Sequence, residues 1–306
     1  MAERLRDRLA DDGYEPVIFL ERPDCFELAS LDHPTRAAIA IGGDGTLRGI
    51  AHRLYLDACE ISPGATTALR KTASEPPLLI VPLGTANLMG KHLGIHWKDR
   101  TLERQVSAAI AQNNVVRLDT ARANGRLFLL MTGVGFDAHV VHELSRLRRG
   151  PIRLTNYLTP TLTALRDYRF PPLSVTVDGK QVFGPEPGIV FVGNLPEYGT
   201  GFPVLPLARA DDGVLDVCAL PARSVPDLMV LFLQAAVGEH LRKEGVVYVK
   251  GKRVNITAPG GEPVPVQVDG DPAGHTPVDI DLLPIRLPFI VPAEPGRSPR
   301  GLPNRT

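Results

Sequence analysis

Two short apolar segments are each followed by a glycine-containing turn and a helical pattern, and this arrangement constrains the fold most. Residues 37–41 run into Gly42-Gly43, and residues 47–54 then place their apolar side chains on one helical face. Residues 78–82 repeat the unit, and a further helix is predicted at 102–110. Such β/α alternation is typical of a parallel sheet with helices on both faces. Before it, we predict a helix over 3–12 and a strand over 14–20.

The pattern changes after residue 114, where strands joined by turns replace the β/α alternation. Asn124-Gly125 and Asp178-Gly179 lie between apolar runs, and both pairs favour two-residue hairpins with positive φ angles. Further strands are predicted at 188–192, 214–220, 246–250, 254–258 and 264–268, and helices at 138–149 and 224–241. We therefore predict an α/β domain over 1–114 and a mostly-β domain over 115–280. The Pro-, Gly- and Arg-rich tail, 293–306, is predicted to be disordered.

Composition excludes several classes of protein. Lys plus Arg and Asp plus Glu both total 34, so the chain has no net basic field that would indicate a nucleic-acid partner. The three cysteines are far apart in the sequence, which argues against a disulfide framework or a zinc site and favours the cytoplasm. The N-terminus lacks the apolar stretch of a signal peptide, and the longest apolar run, 228–237, is about half the length of a spanning helix.

The turn Gly42-Gly43-Asp44-Gly45-Thr46 has the composition of a phosphate cradle. Glycines let phosphate oxygens approach backbone amides, and the N-terminus of the following helix favours an anion. Asp44 is informative because a carboxylate beside phosphates is repulsive unless it binds Mg²⁺, orients water or handles a proton. An Asp-Gly turn with Thr46 as a helix cap explains the residues one by one, but it does not need three glycines around one carboxylate.

Three further motifs are weaker when taken singly. Residues 82–87 lie at the end of the next strand, where Thr85 and Asn87 could bind phosphate or ribose, although such residues are more often helix caps. Residues 211–216 and 267–271 contain paired acidic residues, and each could be a hairpin turn.

Taken together, these segments resemble the diacylglycerol kinase catalytic-domain family, which includes bacterial lipid kinases and sphingosine kinases. The resemblance covers nearly the whole chain. It rests on IGGDGTL at 41–47, VPLGTANLMGKHLGI at 81–95, GVGFDAHVV at 133–141, ARADDGVLDV at 208–217, QVDGDP at 267–272 and LLPIRLPFIVP at 282–292. NAD kinases carry similar GGDGT runs, but the later motifs are features of the lipid kinases.

The resemblance implies an ATP-dependent lipid kinase with an NAD kinase-like α/β domain, a β-sandwich domain and a final segment, 281–292, that returns to the first domain. It places Mg²⁺ on Asp212 and on the carbonyl oxygens of Arg209 and Val214, oxygen ligands that suit a hard cation. The general base matches Asp271, with Asp44 as the next candidate. The predicted ATP-binding residues are Gly42, Gly43, Asp44, Gly45, Thr46, Leu47, Arg48, Thr85 and Asn87.

This sequence departs from the family pattern at two places. The family has an Asp-Gly-Glu run where this chain has Asp271, so the carboxylate here is about one methylene shorter. Family members also begin with a strand and an Asn-Pro-x-x-Gly loop that contacts ATP, and nothing in 1–36 matches it. We therefore expect either a missing first strand or a misplaced start.

The alternatives are a soluble-metabolite kinase such as an NAD kinase and a nucleotide- or lipid-binding protein with little activity. A lipid substrate would be reached by peripheral contact with a membrane surface. The sequence is compatible with a homodimer, but it does not determine the oligomeric state. His139 and His142-Glu143 lack the HExxH spacing of a zinc site. A basic cluster could contact anionic lipid headgroups or form a solvated helix end: Arg146, Arg148, Arg149 and Arg153.

Overall fold

The computed structural model describes residues 1–21, 23, 35–55, 76–147, 168–199 and 202–292. Contacts divide the chain into two compact units. The first comprises Met1–Leu118 and Leu287–Thr306, and the second comprises Asp119–Arg286. Within the described residues, no helix has the length and apolar character needed to cross a membrane.

The first unit is an α/β unit, as predicted. Its strand β1 runs parallel to β2 from the pair Ala38 and Leu78 to the pair Gly42 and Pro82, and Phe289 adds the end of β13 beside β2. The elements are α1 (Ala2–Asp11), β1 (Ala38–Gly42), α2 (Asp44–Tyr55), β2 (Leu78–Pro82), α3 (Leu88–His92), a 3₁₀ turn (Asp99–Thr101) and α4 (Leu102–Gln112).

Helices α1 and α4 cover the sheet of the first unit with apolar side chains at helical spacing. Leu5 and Leu9 lie one turn apart on α1, and they pack with Leu79 and Val81 of β2. Ile290, at the end of β13, lies fully buried in the same core. The end of strand β13 and helix α1, which are far apart in the sequence, therefore contribute to the same core.

The predicted strand over 14–20 is wrong. These residues follow α1 without forming a strand, and Val17 and Leu20 are 60% and 89% exposed. An apolar run forms a strand only where a neighbouring strand satisfies its backbone groups. The sequence shows the apolar run but not whether a partner strand is present.

The second unit is a β-sandwich with helices, again as predicted. Among its described residues, the helices are α5 (Phe136–Leu147), α6 (Val225–Ala236) and a 3₁₀ turn (His240–Arg242). Two strands carry the chain between the units, β3 (Val115–Ala123) and β13 (Val278–Ile290). The others are β4 (Arg126–Phe128), β5 (Met131–Val134), β6 (Pro172–Val177), β7 (Lys180–Gly193), β8 (Leu215–Pro221), β9 (Val247–Gly251), β10 (Arg253–Thr257), β11 (Pro265–Val268) and β12 (Asp271–His275).

Strand β7 belongs to both layers of the sandwich. Its first half pairs with β6, and its second half pairs with β5 and β8. The separate strand predicted at 188–192 is therefore the second half of β7. Alternate residues of β6, namely Leu173, Val175 and Val177, point into the core between the layers.

Both predicted hairpin turns are confirmed. Asn124 and Gly125 have φ angles of 47° and 83°, and Asp178 and Gly179 have φ angles of 48° and 86°. The predicted helix at 138–149 begins earlier, at Phe136, and 148–149 lie outside the described residues. The predicted helix at 224–241 ends at Ala236, and Gly238 follows with a φ of 74°.

Candidate active site

The Gly42–Thr46 turn joins strand β1 to helix α2. Gly42 ends the strand, Asp44 begins the helix, and the Leu47 amide donates to the Gly43 carbonyl at 3.1 Å. A β-carbon at Gly42 would lie 2.5 Å from Thr46 Oγ1, so this position requires glycine for the close approach of the threonine. Gly45 is exposed and has open space around it, which leaves its backbone accessible to a ligand.

The second loop, residues 83–87, lies directly beside the first. The Leu83 amide donates to the Gly42 carbonyl at 2.8 Å. A β-carbon at Gly84 would lie 2.6 Å from the Gly43 Cα, so the two glycines allow the backbones to meet. The parallel pairing of β1 and β2 thus brings together the two motifs that the sequence predicts at neighbouring strand ends.

Asn87 holds the second loop in shape. It adopts a left-handed conformation with a φ of 49°, its Oδ1 accepts from the Gly84 amide at 2.9 Å, and its Nδ2 donates to the Gly84 carbonyl at 2.6 Å. Both ends of the Asn87 side chain are therefore used inside the loop. Thr85 is exposed at the tip of the same loop.

Asp44 links the two loops through helix α3. Its two carboxylate oxygens accept from the backbone amides of Leu88 and Met89 at 2.9 and 3.1 Å. These amides belong to the first turn of α3, where N–H groups have no partner within the helix, and Asn87, the residue before α3, supplies no side-chain cap. Asp44 thus caps a helix that begins 44 residues later in the sequence.

In the second unit, a clamped turn presents Asp271. Asp269 and Gly270 have positive φ angles of 48° and 83°, and Asp271 begins β12 opposite Val268. The Asp269 carboxylate accepts from three consecutive backbone amides, Leu129 to Met131, at 2.9 to 3.1 Å. Asp271 itself is partly buried.

Gln267 and Asp137 form a buried hydrogen-bonded pair that holds this turn. The sequence interpretation assigned neither residue a role. The Gln267 side chain is fully buried, accepts from the Gly270 amide at 2.8 Å and donates to Asp137 Oδ2 at 3.2 Å. Burial raises the pKa of Asp137 to about 7. Both residues lie inside the quoted motifs 133–141 and 267–272, so the motifs contained the signal, but not the pairing.

The predicted magnesium ligands lie on a loop before β8, where the surroundings of Asp212 do not suit a divalent cation. The Lys250 ammonium donates to Asp212 Oδ2 at 2.8 Å, and the Val214 amide donates to Asp212 Oδ1 at 3.3 Å. The Arg209 side chain contacts Asp211 at 3.3 Å. A divalent cation at Asp212 would meet an ammonium group already bound to the same carboxylate, and like charges at this separation repel. The residues present do not fit Mg²⁺ at this position.

A polar cavity of about 290 Å³ lies elsewhere in the second unit, lined by His139, His142, Glu143, Arg146, Tyr168 and His275 among others. The rings of His142 and His275 are 5.3 Å apart. Burial, together with the nearby His142 and Arg146, lowers the pKa of His275. Among the residues that the structure describes, no group of three or more His, Cys, Asp or Glu could hold a metal ion.

The predicted basic cluster is only partly visible. Arg146 is on α5 and pairs with Glu143 at 2.7 Å. Arg148, Arg149 and Arg153 lie outside the described residues.

Comparison with known families gives two matches along the chain. A model described as "Diacylglycerol kinase catalytic domain" matches residues 4–123, and one described as "YegS C-terminal NAD kinase beta sandwich-like domain" matches residues 131–291. The first contains the two glycine-rich loops, and the second contains the turn before Asp271.

Curated relatives are about a quarter identical to this chain over the aligned residues. "Probable lipid kinase YegS-like" from Pseudomonas aeruginosa is 29% identical over 260 residues, which cover 83% of this chain and 76% of the relative. An uncharacterized protein from Synechocystis sp. is 26% identical over 264 residues, which cover 84% of this chain and 55% of the relative. The chain therefore spans about half of the length of that second relative.

Solved structures with the same fold include a diacylglycerol kinase from Bacillus anthracis, with a TM-score of 0.61 at 23% identity, covering 94% of this chain and 91% of the other. An NAD kinase from Archaeoglobus fulgidus in complex with ATP has a TM-score of 0.52 at 14% identity, covering 94% and 88%. At these identities the likeness shows the fold alone.

Proposed function

The chain belongs to the family defined by the diacylglycerol kinase catalytic domain, and on that premise we propose that it transfers the γ-phosphate of ATP to a lipid hydroxyl. The acceptor is a diacylglycerol-like lipid, phosphatidylglycerol or a sphingoid base. ATP enters as its magnesium complex, so that this Mg²⁺ is part of the substrate.

The observation that carries the proposal is the joined pair of loops in the first unit. Gly43 meets Gly84, while Gly45 and Thr85 remain exposed on the same pair of loops. Backbone amides at the N-terminus of α2 favour an anion, and Thr85 adds a hydroxyl group on the neighbouring loop. In the proposal, residues Gly42 to Arg48 and Thr85 contact the phosphates, and Asn87 keeps the second loop in shape.

Asp44 acts in this proposal mainly as a positioning residue. Both of its oxygens already accept backbone amides, and this holds the start of α3 against the first loop. Its negative charge is therefore balanced by the end of a helix rather than left beside the phosphates. Catalysis of this kind depends chiefly on positioning and charge stabilisation, so a loop anchor contributes directly.

Asp271 is the proposed general base, which accepts the proton of the lipid hydroxyl. The hydroxyl oxygen attacks the γ-phosphorus, the bond from that phosphorus to the β,γ-bridging oxygen breaks, and ADP leaves. The turn before it is held by Asp269 and Gln267, so the backbone that carries Asp271 is fixed from two sides. Fixing the backbone matters because a base must lie within hydrogen-bond reach of the proton that it removes.

An exposed apolar face at α6 supports action at a lipid surface. Met229 and Leu233 are 59% and 69% exposed and lie one turn apart on one helix face. Val237, the residue that follows the helix at the same spacing, is 72% exposed. An uncharged face of this kind is typical of interaction sites, including contacts with membranes.

A substrate panel tests the proposal. The purified chain would be incubated with radiolabelled Mg·ATP and mixed micelles of diacylglycerol, phosphatidylglycerol or sphingosine, with NAD as the soluble competitor. We expect label in the lipid extract for one of the three lipids, none with Asp271→Asn, and normal labelling with Glu244→Gln, an exposed carboxylate in the same unit. Label in NADP, or ATP binding without turnover, would instead support the metabolite kinase or the binding protein.

A further inference from the structure

The loop that carries the predicted magnesium ligands is held by the protein itself on two sides. On one side, the Asp119 amide donates to the Ala210 carbonyl at 2.6 Å, and the Gly213 amide donates to Asp119 Oδ2 at 2.7 Å. The other oxygen of Asp119 accepts from Arg286 Nε at 2.7 Å. Asp119 is nearly fully buried, so its charge requires this partner.

Lys250 holds the other side of the same loop. Its ammonium group is 2.8 Å from Asp212 Oδ2 and 3.5 Å from Asp216 Oδ2, and it also donates to the Leu207 carbonyl at 3.4 Å. One cation therefore contacts two carboxylates and a backbone carbonyl, all of them oxygen groups. This is the type of ligand set that a hard metal ion gathers.

The position of Lys250 is set by the sheet. It lies on β9 directly opposite Asp216 of β8, and Tyr248, two residues earlier on the same face, donates to Asp216 Oδ1 at 2.7 Å. Asp216 is fully buried. Its Oδ1 accepts from Tyr248, and its Oδ2 lies 3.5 Å from the Lys250 ammonium group, so both nearby groups come from β9. A cation that is part of a strand cannot dissociate, unlike a bound ion.

We propose that Lys250 takes the place of the divalent cation that the family resemblance assigns to Asp212, so that this loop keeps its conformation without a bound metal ion. Lys250 joins Asp212 to Asp216, and Arg286 completes the anchoring through Asp119. The proposal concerns the loop alone and does not depend on the kinase reaction.

The test measures thermal unfolding by calorimetry without nucleotide, in EDTA and in millimolar MgCl₂ or CaCl₂. The wild-type protein should melt at the same temperature in all three, because no site responds to the ion. Lys250→Met keeps most of the side-chain stem and removes the charge, which leaves two carboxylates uncompensated. This variant should melt several degrees lower in EDTA and regain most of the loss with Mg²⁺ or Ca²⁺.

A second variant identifies the ligand, and a binding measurement covers a variant that does not fold. In Lys250→Met/Asp212→Asn the response to the cations should disappear, because the Asp212 carboxylate that would bind them in place of the lysine is also removed. Stoichiometric binding of Mn²⁺ to the wild-type protein in titration calorimetry, abolished by Asp212→Asn, would overturn the proposal. So would a Lys250→Met variant that melts like the wild type. Absence of Mn²⁺ binding to the wild type supports the proposal even if Lys250→Met does not fold.

Discussion

Replacing Asp44 by asparagine should destabilise the first unit as well as reduce activity. Asparagine offers one oxygen acceptor and one N–H₂ group, so one of the two amides of α3, Leu88 or Met89, loses its acceptor. A hydrogen bond to a charged group contributes about 1.5 to 3 kcal/mol, so we expect a loss of about 2 kcal/mol. At about 3 °C per kcal/mol for a unit of this size, the melting temperature should fall by about 6 °C.

Trp97 makes this loss measurable for the first unit alone. It is the single tryptophan of the chain, is partly buried, and donates from Nε1 to the Ile80 carbonyl at 2.7 Å. Its fluorescence during urea unfolding therefore reports on the unit that contains Asp44. Asp11→Asn, a change of the same type at an exposed position, is the matched control and should unfold like the wild type.

The outcome separates two roles for Asp44. A lower urea midpoint for Asp44→Asn, together with a matching loss of ATP affinity, supports the anchor between the loops. If the variant unfolds with wild-type behaviour but turns over poorly, the anchoring argument is wrong and the carboxylate acts on the phosphates or on a proton.

Substitutions at three positions test the second unit. Asp271→Asn should abolish lipid phosphorylation, whereas Asp271→Glu should retain or raise it, and normal turnover by the asparagine variant would place the base elsewhere. Gln267→Leu should lower kcat more than it raises KM, because it removes the acceptor of the Gly270 amide next to Asp271. Gln267→Glu supplies an acceptor again and should restore part of the rate. An unchanged kcat for Gln267→Leu would show that the turn keeps its conformation without the Gln267 side chain. Asp137 has a folded pKa of about 7, above its ordinary 3.8, so the stability conferred by its neutral form is lost as pH rises from about 4 through 7. Asp137→Asn mimics that neutral form beside Gln267 and Tyr168. It should raise the free energy of unfolding, measured with urea, by up to about 4 kcal/mol at pH 8 and by less at pH 5. An equal effect at both pH values would show that the Asp137 carboxyl does not ionise with a raised pKa.

Local signals in the sequence predicted much of the fold. The strand at 78–82 and the turns at Asn124-Gly125 and Asp178-Gly179 depend on nearby residues, because apolar runs and positive φ angles are encoded within a few positions. The strand expected at 14–20 failed because strand formation depends on a partner elsewhere in the chain.

The sequence names candidate residues for the site but not how their side chains pair. Asp44 was identified as important, yet nothing in the sequence shows that its carboxylate caps α3. Gln267 and Asp137 are 130 residues apart, and Lys250 is 38 residues from Asp212. Choosing among many equivalent donors and acceptors requires the three-dimensional register of strands and helices, which motif spacing does not contain.

Strand β13 has a consequence for the order in which the chain can fold during synthesis. Phe289 lies beside Leu78 in the sheet of the first unit, and Ile290 fills its core together with Leu9. A ribosome that has released residues 1–118 has therefore not yet supplied all of that unit. The sandwich of Asp119–Arg286 emerges complete before the α/β unit does, so we expect the middle of the chain to become protected from proteases first and the glycine-rich loops last.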